Sequence, residues 1–154
     1  MDKEKSKTLK YQSLIEKMKL SESCPYKECV EQNILGFRFT YSDINHEDNF
    51  LPVILFDEKN NRPPRVNSSE DFKCSCCALS MFNTIEAAKS KFDGFLERTK
   101  KLFAYTHIAA GAIKKETGKV SEVNYYGHFD LFEYEDAVLS NSFQIVGKLR
   151  DGTN

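Results

Sequence analysis

The chain has 154 residues, with 22 Lys plus Arg against 23 Asp plus Glu and a formal net charge of −1. That length suits one domain with a core of respectable size, and the balanced charge leaves no net positive field for a polyanion, which argues against a general nucleic-acid binder. No segment approaches the length that spans a bilayer, the lysine-bearing N-terminus lacks the apolar stretch of a secretory leader, and five cysteines, three of them crowded into Cys74, Cys76 and Cys77, make a poor disulfide framework; a cytoplasmic protein is expected.

Met1 to about Lys7 reads as frayed, and Leu9, Tyr11, Leu14, Ile15 and Met18 then mark an amphipathic helix. Residues 1–20 are therefore expected to form an N-terminal helical extension. Its apolar side offers a face for a partner protein, or for a second copy of the chain, as well as for its own sheet. A loop from Ser21 to Asn33 carries Cys24 and Cys29. Ile34–Thr40 is a strand by alternation, with Ile34, Gly36, Arg38 and Thr40 on one face and Leu35, Phe37 and Phe39 on the other. A polar connection leads to a second expected strand at Pro52–Phe56, with the proline at its start. Asp57–Glu70 holds Asn60, Asn61, Pro63, Pro64, Asn67, Ser68 and Ser69 and reads as a long loop.

Lys73–Met81 is expected to be a strand, which would place Cys74, Cys76, Ala78 and Ser80 on one face. Asn83 with Glu86 three residues on has the form of a helix cap. Ile85, Ala88, Phe92, Phe95, Leu96, Leu102 and Phe103 recur at helical spacing, so one long packed helix is expected over about 84–103, with Gly94 as its weak point. Strands follow at Tyr105–Ile113, His128–Tyr134 and Ser142–Leu149, with a turn at Thr117-Gly118 and a tail over 151–154. Strands outnumber helices and do not alternate with them. The expected class is α+β with a mainly antiparallel sheet, as a single domain over 21–150.

Several groups of side chains carry possible chemistry. Cys24, Cys29, Cys74 and Cys76 would make a tetrahedral zinc site if the fold gathered them, with His46, His107 or His128 as substitutes. The alternative for the thiols is burial as small hydrophobes. A thiol among Cys74, Cys76 and Cys77 beside His107 or His128 would be a minimal nucleophile and base. His128 and Asp130, two apart on a strand, share a face, so the carboxylate can orient or charge the imidazole. The preceding Asn124-Tyr125-Tyr126-Gly127 has the composition of a turn feeding that strand.

Arg38 on an early strand, Ser80 in the middle of the chain and Glu133 or Glu135 on a late strand follow the order of one branch of the ADP-ribosyltransferases, and the chain resembles that branch in this order. The resemblance implies a site that consumes NAD. Arg38 would hold the dinucleotide phosphates, Ser80 would brace the pocket and Glu133 would polarise the nicotinamide ribose, a chemistry that needs a cation for pyrophosphate and a carboxylate for an oxocarbenium ion. The family's hydroxyl doublet is here Ala78-Leu79-Ser80, and Leu131 stands where a companion acid or amide precedes the glutamate. Arg38, the Asn49-Phe50-Leu51-Pro52 step, Ala78-Leu79-Ser80 and Gly127-His128-Phe129 are also similar to a loose set of small, uncharacterised bacterial proteins, some encoded near defence or toxin genes. That likeness, over about 35–146, implies a compact bacterial cytosolic protein. The expected function is that of a small binding or accessory protein working through a surface pocket. An NAD-consuming enzyme with Arg38, Ser80, His128 and Glu133 in its site is the alternative, and a structural zinc protein the second.

Overall fold

The computed structural model describes residues 7–63 and 69–150; the expected frayed start at 1–6, the middle of the long loop at 64–68 and the tail at 151–154 lie outside the described residues. The strands are β1 (Ile34–Thr40), β2 (Leu79–Phe82), β3 (His107–Ile113), β4 (Gly118–Val120), β5 (His128–Glu133) and β6 (Phe143–Lys148). The helices are α1 (Gln12–Lys17), α2 (Val53–Lys59), α3 (Glu70–Ser75), α4 (Ile85–Asp93) and α5 (Glu97–Leu102). The strands form one sheet in the order β4-β5-β2-β1-β3-β6, and every pairing is antiparallel. The α+β class expected from the sequence is the one found. No described helix is long and apolar enough to cross a membrane.

Register assigns the two faces of the sheet. Directly paired residues point to the same side, so the pairs Arg38–Ala109, Met81–Phe129 and Leu79–Leu131 define one face. There Met81, Phe129, Leu131, Ile113 and Phe143 form a buried cluster, closed by Phe50 and Leu139. On the other face lie Phe37, Phe82 and Ile108, covered by Ile85 and Ala88 of α4. The same face, at Phe132, is covered by Ile15 of α1, Leu20 and the cysteines Cys24, Cys29, Cys74 and Cys77. The N-terminal helix thus buries Ile15 against its own chain, and Lys10 N donates to the Glu133 carbonyl at 2.8 Å.

Four expectations are corrected. Lys73–Met81 is not a strand: its first part is α3, followed by a turn, and the strand is confined to Leu79–Phe82. Ser69 caps α3, its hydroxyl accepting from Phe72 N, and Glu70 and Asp71 in the first turn suit the positive end of a helix. Pro52–Phe56 is likewise helical; Pro52 sits just before the first turn of α2, where its missing N–H does no harm. The cap of α4 is Thr84, whose hydroxyl accepts from Ala87 N, and not Asn83. The long helix over 84–103 is two helices. α4 ends at Gly94 and α5 restarts after Leu96, leaving Leu96 78 % and Leu102 71 % exposed and not in the core.

Candidate functional site at the parting of two strands

β1 and β2 are neighbours in the sheet, yet they pair through a single couple, Phe37 with Phe82. Beyond it the strands part, and the Arg38 side chain enters the gap. Its Nη1 donates to the Ser80 carbonyl at 3.0 Å, an acceptor that a continuing ladder would offer to a backbone amide of β1. Arg38 is only 5 % exposed, and its guanidinium lies 5.9 Å from the centre of the Phe50 ring. Its Nε has no hydrogen-bond partner. Among the described residues no carboxylate forms an ion pair with it.

A cavity of about 900 Å³ opens at this parting, with Arg38, Ser80 and His128 in its lining. Phe56, Phe95, Phe103 and Tyr105 supply aromatic wall, and Tyr125 and Tyr126, 95 % and 75 % exposed, stand at the rim. Lys91 and Arg62 add positive charge, against Glu86 and Asp57. Each element places its side chain for a local reason. The turn before β5 is organised by Asn124, whose Oδ1 accepts from Tyr126 N and His128 N. Gly127 holds φ +80, a conformation that favours glycine. This turn sets the rim tyrosines and starts β5 at His128, in register with Phe82.

His128 Nε2 lies 2.6 Å from Ser80 Oγ. The imidazole packs edge-on against Phe82, with centroids 5.6 Å apart. Burial, with Lys91 adding to it, holds its pKa below the usual histidine value, so the ring is neutral near pH 7. The expected His128–Asp130 partnership is loose: Asp130 Oδ1 is 3.8 Å from the same Nε2, outside hydrogen-bond range. Asp130 instead accepts from Ser75 Oγ at 3.1 Å and Tyr26 Oη at 3.4 Å, and burial pushes its pKa up to about 6.

Glu133 alternates to the opposite face of β5 from His128 and does not line the cavity. It is 2 % exposed and its Oε2 is bound by Lys10 Nζ at 2.8 Å; burial raises its pKa, while Lys10 and Arg38 pull the other way. The four cysteines expected as zinc ligands are divided. Cys24 and Cys74 form a disulfide, and Cys29, Cys76 and Cys77 are buried outside it. No group of three or more His, Cys, Asp or Glu among the described residues is arranged to hold a metal ion. Burial pushes the Cys29 and Cys77 thiols up to about 11, far from a reactive thiolate. His46 Nδ1 accepts from Asp48 N and His107 Nδ1 meets Thr106 Oγ1, so neither joins a cysteine.

Of the residues singled out in the sequence, the fold brings Arg38, Ser80 and His128 to one cavity and leaves Glu133 and the cysteines elsewhere. Lys91, Tyr105 and the rim tyrosines were not singled out as site residues; only the aromatic doublet at 125–126 beside a turn glycine was there as a signal. No protein-family model, curated protein or solved structure matches this chain, so what the cavity does is argued from its side chains alone.

Proposed function

We propose that this chain is a small binding protein whose cavity at the β1–β2 parting takes a flat, ring-bearing anion. The observation that carries the reading is Arg38: a residue 5 % exposed, its guanidinium without an ion-pairing carboxylate among the described residues and with an unpartnered Nε. A buried charge whose counter-charge, here Glu133, acts only through space and without contact is poorly compensated, and an arginine fork is well matched to a carboxylate or phosphate. The surrounding aromatic wall and the volume of about 900 Å³ suit a ligand with a ring rather than a bare inorganic anion. The cytoplasmic setting is part of the proposal and rests on the odd, crowded cysteine pattern of the sequence, with the Cys24–Cys74 disulfide counting against it; the bacterial and defence-system setting rests on resemblance of residue order.

Calorimetric titration with adenosine monophosphate, adenosine and inorganic phosphate tests this. The expected result is binding of the nucleotide, weaker binding of each part, and a loss of at least tenfold in affinity in Arg38→Gln. Equal affinity of wild type and Arg38→Gln contradicts the reading. The NAD-consuming transferase is a second reading, supported by Arg38 and Ser80 sharing the cavity. Against it stands Glu133, outside the cavity and held by Lys10. Release of nicotinamide from NAD, lost in Arg38→Gln and in Glu133→Gln, would favour it over simple binding.

A further inference from the structure

The cavity also holds a pair of groups that binding alone does not use. Ser80 Oγ and His128 Nε2 are 2.6 Å apart, and both line the cavity. They reach each other because β2 and β5 pair Phe82 with His128 and Ser80 with Asp130, so the serine and the histidine are diagonal neighbours on one face. The His128 side chain is 28 % exposed, open enough to meet a substrate. From this geometry we infer that Ser80 is a nucleophile with His128 as its general base, and that the cavity cleaves carboxylic esters of flat aromatic groups. The inference rests on the reading of the cavity as the ligand site.

The chemistry balances within the chain and water. With the ring proton on Nδ1, Nε2 accepts the hydroxyl proton of Ser80 as Oγ attacks the ester carbonyl carbon. The tetrahedral intermediate collapses, the alkoxide leaves with the proton from His128, and Ser80 carries the acyl group. A water molecule, deprotonated by His128, then attacks the acyl carbon and releases the carboxylic acid and free Ser80. The cationic lining, Arg38 and Lys91, suits negative charge developing on the carbonyl oxygen. A ring kept neutral by burial is in the protonation state that a base requires. The arrangement is a dyad: Asp130 is 3.8 Å from the nitrogen facing Ser80, and its carboxylate is taken by Ser75 and Tyr26. Phe82, edge-on to the ring, does the positioning.

The test uses a fluorophosphonate probe on the full chain, read by intact mass and peptide mapping, alongside release of p-nitrophenol from p-nitrophenyl acetate. One adduct on Ser80 is expected, absent in Ser80→Ala, with a labelling rate about 100-fold or more lower in His128→Gln. Circular dichroism of both variants checks that they fold, and Ser80→Cys, which keeps a nucleophile, should retain labelling by iodoacetamide that depends on His128. No adduct on Ser80, or equal rates with and without His128, overturns the inference. If Ser80 is inert while nucleotide binding still depends on Arg38, the dyad falls and the binding cavity stands. If neither is seen, both fall.

Discussion

Arg38 and Asp130 are both buried and charged, and their surroundings differ. Alternation along Ile34–Thr40 already puts Arg38 on the face with Gly36 and Thr40, and that is the face buried in the structure. What the sequence could not give is the parting of β1 from β2, since one strand's register depends on a partner more than forty positions away. The Ser80–His128 contact was hidden for the same reason. Asp130 makes a prediction of its own. Its folded pKa, about 6, lies above the unfolded value near 3.8 because burial disfavours the charged form. Between those values the native state binds more protons than the unfolded state, so stability falls as pH rises from about 4 to about 6. The penalty at pH 7 is on the order of 3 kcal/mol from a shift of about two units. Urea melts of Asp130→Asn across pH 4–7 should lack that decline relative to wild type; parallel curves would contradict the assignment.

At the scale of elements, the strand β1 was legible because period-two alternation continued over seven residues, whereas β3 and β5 were placed without it and are buried on both faces for most of their length. α2 and α3 were not legible. Four apolar residues after a proline fit a strand or a helix equally well, and the alternating cysteines at 74 and 76 outweighed a sound helix start at Ser69-Glu70-Asp71. The turn before β5 is the element on which the cavity rim depends. A Cβ at Gly127 would stand 2.7 Å from Asn83 Oδ1 and 2.8 Å from Ala87 Cβ, at a backbone φ of +80. Gly127→Ala should therefore cost about 2 kcal/mol and push the turn away from α4. Chemical denaturation reads the first effect. Loss of the rim shows as weaker nucleotide binding with Arg38 intact. A variant as stable as wild type would mean that the turn does not close against α4.

For the whole molecule, the odd number of cysteines suggested reduced thiols, and the fold instead joins Cys24 to Cys74 across 50 positions. Spacing could not reveal this, because the pairing depends on the loop before β1 meeting α3 over Phe132. A crosslink closing a loop of that size stabilises by about 4 kcal/mol on chain-entropy grounds. Reductant should lower the denaturation midpoint of the wild type and leave Cys24→Ser, already at the lower midpoint, unchanged. A wild-type midpoint insensitive to reductant would contradict the crosslink. The same packing draws α1 into the core through Ile15, so the N-terminal helix supports the body that carries the cavity.

The buried guanidinium at the strand parting can be tested by paired thermal and urea melts of wild type and Arg38→Met, each with and without adenosine monophosphate. A buried cation without a contacting carboxylate contributes little net stability alone, so the ligand-free proteins should agree within about 1 kcal/mol, the lost bond to the Ser80 carbonyl and the lost attraction to Glu133 offsetting the relief of the buried charge. The nucleotide should then raise the midpoint of the wild type and leave Arg38→Met unmoved. A variant destabilised by about 3–5 kcal/mol, together with a wild type indifferent to the nucleotide, would mean that Arg38 is a structural brace and that the cavity beside it is not a binding site.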